Sequence, residues 1–221
     1  MRLPKFKYVF EQEWLVERCI NKSVLHLGCA GDVTLQGGRN ASLHAKIYDV
    51  SEYSCGIEIN ENSLNILKGF LPEDNKNIYY LGDVEKLGEI KIGKKFDIIL
   101  VGSIIEHLSN VGLMIEGANT LLKDNGLFLV STPHTWGLLQ YLRVLYKRIE
   151  SVHPEHTCWY SVSTLMQIFS RYNLVPNEWA TGYGWQPDSI KWTIKKFFGI
   201  PFFKIFPHIG GSLLGSFRKQ L

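Results

Sequence analysis

At 221 residues, 45% of them hydrophobic, the chain is long enough to fill the core of one domain and too short to promise two. A net charge of +3 with both signs interspersed gives no sign of a dedicated nucleic-acid groove, and no apolar run reaches membrane-spanning length, since Gly, Pro or Lys interrupts even "FFGIPFFKIF". The cysteines Cys19, Cys29, Cys55 and Cys158 form no CxxC pair and the N-terminus lacks the apolar core of a signal peptide, so a cytoplasmic location is expected.

In chain order, Glu11 to Ile20 reads as an amphipathic helix. Short apolar runs of strand character then recur: "SVLHL", "SCGIEI", "NIYYLGD", "FDIILVGS" and "GLFLVST". Helical patterns occupy Ala41 to Tyr48, Asn62 to Phe70, Val111 to Leu122, Leu138 to Lys147 and Val162 to Tyr172. Strands that are apolar throughout are those buried on both faces, so their alternation with helices predicts an α/β, Rossmann-like architecture with a mainly parallel sheet. Thr181 to Gly211, where Gly, Pro and aromatics mix with lysines, is the least regular stretch.

Ligands of such sheets lie outside the carboxyl ends of the strands, which directs attention to four strand ends. The first, Gly28 to Asp32 in "VLHLGCAGD", is a cluster of small residues whose amides a ligand can approach closely. The second carries Glu58, placed to accept from a ribose diol; the third carries Asp83, suited to a purine amine; the fourth carries Ser103, followed by Glu106 and His107. Singly each is weak, because strand-end glycines are mostly turns and strand-end acids mostly caps. In this order they describe an adenosine site. A dinucleotide is disfavoured, since Val33 stands where GxGxxG needs its last glycine.

These motifs resemble those of the class I S-adenosylmethionine-dependent methyltransferases, in the branch that includes the ubiquinone-type O-methyltransferases. "VLHLGCAGD" is similar to the glycine motif, "GIEIN" to the ribose-binding acid, "LGDVEKL" to the adenine-contacting acid, and "FDIILVGSIIEHLSNVGLMIEGANTLLKDNGLFLVSTPH" to the fourth strand, helix and fifth strand; the likeness runs from about Ser23 to Tyr172. It implies a single domain over 1–221: a core at 10–180, a lid or amphipathic addition at 181–211, and an antiparallel C-terminal edge strand at 212–218 that completes a predominantly parallel seven-stranded sheet flanked by helices. It also implies S-adenosylmethionine as cofactor, held by Gly28, Cys29, Ala30 and Gly31, by Glu58 and Ile59, by Asp83 and Val84, and by Ser103 and Ile104. Departures are His26, where the family commonly has Asp or Glu, and Ala30 and Asp32, where it has glycines.

On the acceptor side, metal-dependent relatives carry ExxEH where this chain has Ser103, Glu106 and His107, so the first acid is missing. "PEHTCWYSVSTL" resembles the stretch in which small-RNA 2′-O-methyltransferases place a metal-ligating histidine, and the match falls on His156. No metal is assigned: His107 or His156 as general base is preferred to a Glu106, His107, His156 metal set. His134, at the end of the fifth strand, also faces the acceptor in this reading, His153 belongs to the surface, and Trp136, Trp159 and Trp185 roof the site.

The expected reaction is methyl transfer to a hydroxyl of a small molecule, a glycan or a lipid-linked precursor, with N-methylation left open. A noncatalytic methyltransferase-like binding module is the rival reading; DNA is not expected as a partner, and the modest charge counts against RNA. The tail couples Lys191, Lys195, Lys196 and Lys204 with Trp192, Phe197, Phe198, Phe202, Phe203 and Phe206. Packing over the sheet is preferred for it, with peripheral contact to an anionic membrane as the alternative.

Overall fold

The computed structural model describes residues 2–150, 152–183 and 200–220. Among these, eight strands form one sheet: β1 (Lys7–Phe10), β2 (Ser23–Leu27), β3 (Tyr53–Glu58), β4 (Asn77–Leu81), β5 (Phe96–Gly102), β6 (Leu122–Pro133), β7 (Leu174–Tyr183) and β8 (Ser212–Lys219). Their order across the sheet is β1-β7-β8-β6-β5-β2-β3-β4. Every pairing is parallel except the two made by β8, which runs antiparallel to both β6 and β7.

The helices are α1 (Glu11–Glu17), α2 (Asp32–Ala41), α3 (Leu43–Val50), α4 (Glu61–Phe70), α5 (Val111–Leu121), α6 (Leu138–Lys147), α7 (Val162–Ser170) and α8 (Ile200–Ile205). Alternation along the strands explains how they cover both faces. Leu25, Leu27, Ile57, Ile99, Val101 and Phe128 join Met114, Ile115 and Ala118 of α5 and Leu165 and Phe169 of α7 in one core. Their strand neighbours Val24, Ile98, Leu100 and Leu129 join Trp14 and Leu15 of α1 and Ile47 of α3 in the other. That two-sided burial is why β2 from Val24 to Leu27 reads as apolar but for His26.

The Rossmann-like α/β architecture holds, with two corrections of detail. The sheet has eight strands rather than seven, because the short N-terminal segment Lys7–Phe10 pairs with β7. The C-terminal strand is antiparallel and close to its expected span, but it is not at the edge: it lies between β6 and β7. With Leu213, Leu214 and Phe217 all fully buried, that interior position satisfies their need for cover on both faces.

Around the irregular stretch, Thr181 to Tyr183 end β7, and α8 and a 3₁₀ turn at Pro207–Ile209 lead into β8. Phe203 of α8 stacks on Tyr8 at 5.2 Å between ring centroids, so this end of the tail packs beside β1, while Lys204, Phe202 and Phe206 stay exposed. Lys191, Trp192, Lys195, Lys196, Phe197, Phe198 and Trp185 lie outside the described residues. Among the described residues no helix is long and apolar enough to cross a membrane.

Candidate active site

In chain order β2 is followed by its neighbour β3 on one side, and β5 by β6 on the other, so the topological switch point falls between β2 and β5. There the loop after β2 meets the loop after β5. Gly28 has φ +70°, and a Cβ added to it would lie 2.6 Å from Ile104 Cγ2, so the close approach of the two loops requires glycine. The Gly28 and Cys29 amides both donate to the Ile57 carbonyl, at 2.9 and 3.1 Å, tying the loop to the end of β3.

Glu58, the last residue of β3 and 8% exposed, fastens the same loop from its side chain. Its Oε2 accepts from the Ala30 amide at 3.1 Å and its Oε1 from the Asn60 amide at 3.0 Å. Each oxygen keeps a further lone pair. Ile59 beside it is 67% exposed, a large apolar side chain held at the lip of the strand ends. Asp83 is half-buried and uses Oδ1 to accept from the Glu85 amide at 2.9 Å, capping the 3₁₀ turn Val84–Glu89. The Val84 side chain is buried in the core. The Cys29 thiol is pushed well up by burial and by the neighbouring Glu58 charge, which makes it an inert wall.

A cleft of about 430 Å³ opens at the switch point. Gly28, Cys29 and Gly31 form one side and Ser103, Ile104, Glu106 and His107 the opposite side. His153 and His156 also line it, as do His26 and, from α1, Glu11, Gln12 and Leu15. Glu58, Ile59, Asp83, Val84, Ala30 and His134 are not among its lining residues. The residues read from the sequence therefore divide between the cleft itself and the adjoining ends of β3 and β4.

Glu106 sits in a 3₁₀ turn, Ile105–His107, entered through Ser103 at φ +52°. Its side chain turns inward, 2% exposed, and accepts from Thr132 Oγ1 at 2.9 Å. Burial pushes its carboxyl up to about 7. Its backbone carbonyl accepts from the Thr157 amide at 2.8 Å and from Thr157 Oγ1 at 3.0 Å. Those bonds strap the segment that carries His156 against the end of β5.

Glu106, His107 and His156 thus line one cleft, but Glu106 does not join the cluster of ligand atoms. Among the described residues that cluster is His107, His153 and His156, one ligand atom of each lying within 4.8 Å of the others. His107 and His156 meet edge to face with ring centroids 4.5 Å apart, and His107 Nδ1 lies 3.9 Å from Glu155 Oε2. Burial, then the neighbouring His107 and His153, lower the His156 pKa. His153 is exposed, as its sequence context suggested, yet it belongs to the cluster; its signal was the HxxH spacing with His156.

His134 does not line the cleft. It is 2% exposed, with Nδ1 donating to the Gly210 carbonyl at 3.1 Å, and it pins the approach to β8. Trp136 is 57% exposed, while Trp159 donates to Glu150 Oε1 at 3.0 Å with its ring 6.4 Å from that of His156. The contribution of α1 to the cleft carried no sequence signal beyond amphipathicity.

The chain is similar to the ubiquinone biosynthesis O-methyltransferase of Bartonella tribocorum, at 30% identity over 118 residues, 52% of this chain and 43% of that protein. To its counterpart from Bartonella quintana it is 28% identical over 122 residues, 53% of this chain and 45% of that protein. The chain thus spans less than half the length of the curated relatives it matches. Among solved structures it resembles N-methyltransferase NodS from Bradyrhizobium japonicum WM9 in complex with S-adenosyl-L-homocysteine, with a TM-score of 0.59 and 13% identity over 96% of this chain and 87% of that one. An S-adenosylmethionine-dependent methyltransferase from Mesorhizobium loti has a TM-score of 0.60 and 15% identity over 94% of this chain and 98% of that one. These structural likenesses show a shared fold. The family model described as a methyltransferase domain matches residues 15–178, and the chain belongs to that family.

Proposed function

We propose that the protein transfers a methyl group from S-adenosylmethionine to a hydroxyl of a small molecule, a glycan or a lipid-linked precursor. The observation that carries this reading is the junction of Glu58 with the Gly28–Gly31 loop at the switch point. There, a buried carboxylate accepts from the Ala30 amide of a loop whose Gly28 lies so close to Ile104 that only glycine fits. Such a cradle fits the cofactor's ribose and methionine portions. In this reading Glu58 accepts from the ribose hydroxyls, Ile59 offers an apolar surface to the adenine, and Asp83, with Oδ1 committed to its cap, offers Oδ2 to the adenine amine.

S-adenosylmethionine supplies a methyl group activated by the adjacent sulfonium charge. What remains for the chain is alignment, exclusion of water and removal of one proton. His107 and His156 line the cleft, and the lowered pKa of His156 keeps its imidazole neutral at pH 7. As the acceptor oxygen forms its bond to the methyl carbon, the methyl–sulfur bond breaks with its electron pair passing to sulfur. With no metal ion bound, the hydroxyl proton passes to an imidazole nitrogen of one of these histidines.

The hydroxyl class rests on the O-methyltransferase relatives. Incubation with methyl-labelled S-adenosylmethionine and separate sets of phenolic, sugar and lipid-linked hydroxyl acceptors tests it. Label in a methyl ether with equimolar S-adenosylhomocysteine is the expected result. Label only in amines or in RNA would overturn the hydroxyl assignment, and cofactor binding without any transfer would favour a binding module.

A further inference from the structure

We propose that His107, His153 and His156 form a site for one divalent metal ion of the zinc class, open to the cleft. Three imidazoles from two separate segments, the turn after β5 and the strap before α7, bring one ligand atom each within 4.8 Å of the others. Tetrahedral bonds of about 2.0–2.1 Å to zinc set ligand nitrogens roughly 3.3 Å apart, a closure that small rotations of partly exposed rings achieve. Neutral nitrogen donors suit zinc, cobalt, nickel or copper far better than magnesium, which prefers carboxylate and water oxygens.

A second observation points the same way. His156 Nδ1 is buried with no hydrogen-bond partner, in a ring whose centroid lies 4.5 Å from that of His107. A buried ring nitrogen without a partner costs free energy unless something outside the chain satisfies it. Glu155 Oε2, 3.9 Å from His107 Nδ1, is beyond hydrogen-bond reach but places a negative charge beside the cluster. The strap is anchored independently of the histidines, through Thr157 to the Glu106 carbonyl, so the three rings are held near one another without an ion.

Three protein ligands leave one coordination position, and the site lines the cleft. Its chemical role rests on the proposed methyl transfer. An acceptor hydroxyl taken as fourth ligand would be acidified and lose its proton to solvent before attack, and the histidines would then act as ligands rather than as proton acceptors.

The test is titration of the untagged, purified full chain with Co²⁺, read by its d–d absorption, with displacement by Zn²⁺ as the competition. One ion per chain is expected, with the intense visible bands of a four-coordinate site. His153→Gln alters an exposed ring, and together with His156→Gln it should weaken binding by more than the ~10–100-fold that loss of an outer partner costs. A melting curve on each variant checks the fold, and calorimetry of the parent chain with S-adenosylhomocysteine reports the cofactor reading separately. Cobalt spectra unaltered in both variants, or no cobalt bound by a chain that binds S-adenosylhomocysteine, would overturn the metal site while leaving the cofactor reading intact.

Discussion

His26 Nδ1 lies 3.2 Å from His44 Nδ1, and both side chains are buried. The direction of the proton follows from the next link. Asn77 Oδ1 accepts from Ser54 Oγ at 2.8 Å while Asn77 Nδ2 donates to the Pro72 carbonyl at 3.4 Å, which fixes the amide. His44 Nε2, 3.0 Å from that oxygen, must therefore carry a proton and donate it. A neutral His44 then accepts at Nδ1 from the Nδ1–H of His26. This chain explains how a histidine is accommodated inside β2: its partner is another imidazole, that of His44 in α3.

Acid should undo that arrangement. Burial lowers both pKa values, that of His26 well below its ordinary range and that of His44 to about 4. An unfolded chain takes up protons at about pH 6.5, before the folded one does, so stability is fully present above that pH and falls as pH drops toward 4. For His44 the loss across the window is about 3 kcal/mol. Glu106, raised to about 7 by burial, takes up its proton in the folded chain first and works in the opposite direction over the same window, so the test is the difference between the parent and His44→Gln. Urea unfolding of both at pH 7, 6 and 5 should show the parent losing stability relative to His44→Gln as the pH falls. Asp97, held down to about 2 mainly by its bonds to Ser23 and Lys123, titrates below this window. A difference between the two proteins that does not change from pH 7 to 5 would mean that the His44 ring is not buried neutral.

Two glycines in the loop should behave differently. At Gly28 an added methyl meets both a positive φ and Ile104, so Gly28→Ala should cost about 1–3 kcal/mol of stability along with cofactor affinity. Gly31 has an ordinary φ of −56° and open space around its Cβ, yet lines the cleft. Gly31→Ala should melt like the parent and still bind S-adenosylhomocysteine more weakly, because its methyl group protrudes where the ligand lies. Equal melting temperatures for both variants would contradict the account of the loop.

The C-terminal strand should be indispensable. Phe217 is fully buried, stacked on Phe169 with centroids 4.1 Å apart and edge-on to Trp179 at 5.4 Å. Phe217→Ala should cost about 3–5 kcal/mol. Truncation after Gly211 would leave β6 and β7 without the partner that joins them, and should abolish cooperative melting. A truncated chain that melts cooperatively at the parent temperature would place β8 outside the folding unit.

What the sequence made legible follows from how local each signal is. The central strands β2, β3 and β5 announce themselves because burial on both faces demands continuous apolar runs, and their ends carry Gly28, Glu58 and Ser103. By contrast β1 is four residues long with exposed ends, and β7 contains Pro176 at a shift of register with β8, which breaks its apolar pattern. The interior position of β8 is a long-range fact with no local marker. Glu106 was identifiable as a strand-end acid, but its inward turn depends on the left-handed backbone at Ser103 and on Thr132, a partner supplied by β6. His153 looked like surface because it is surface; only the fold brings it beside His107.

The central claim is that the β2 and β3 ends cradle S-adenosylmethionine, with Glu58 joining loop to ribose. Isothermal titration of the full chain with S-adenosylhomocysteine, repeated on Glu58→Ala with a melting curve as the check on folding, addresses it most directly. The account predicts one site per chain, weakened in the variant by about 1.5–3 kcal/mol, on the order of 10- to 100-fold in Kd. Unchanged affinity in a folded Glu58→Ala protein, or no binding by the parent chain, would contradict it.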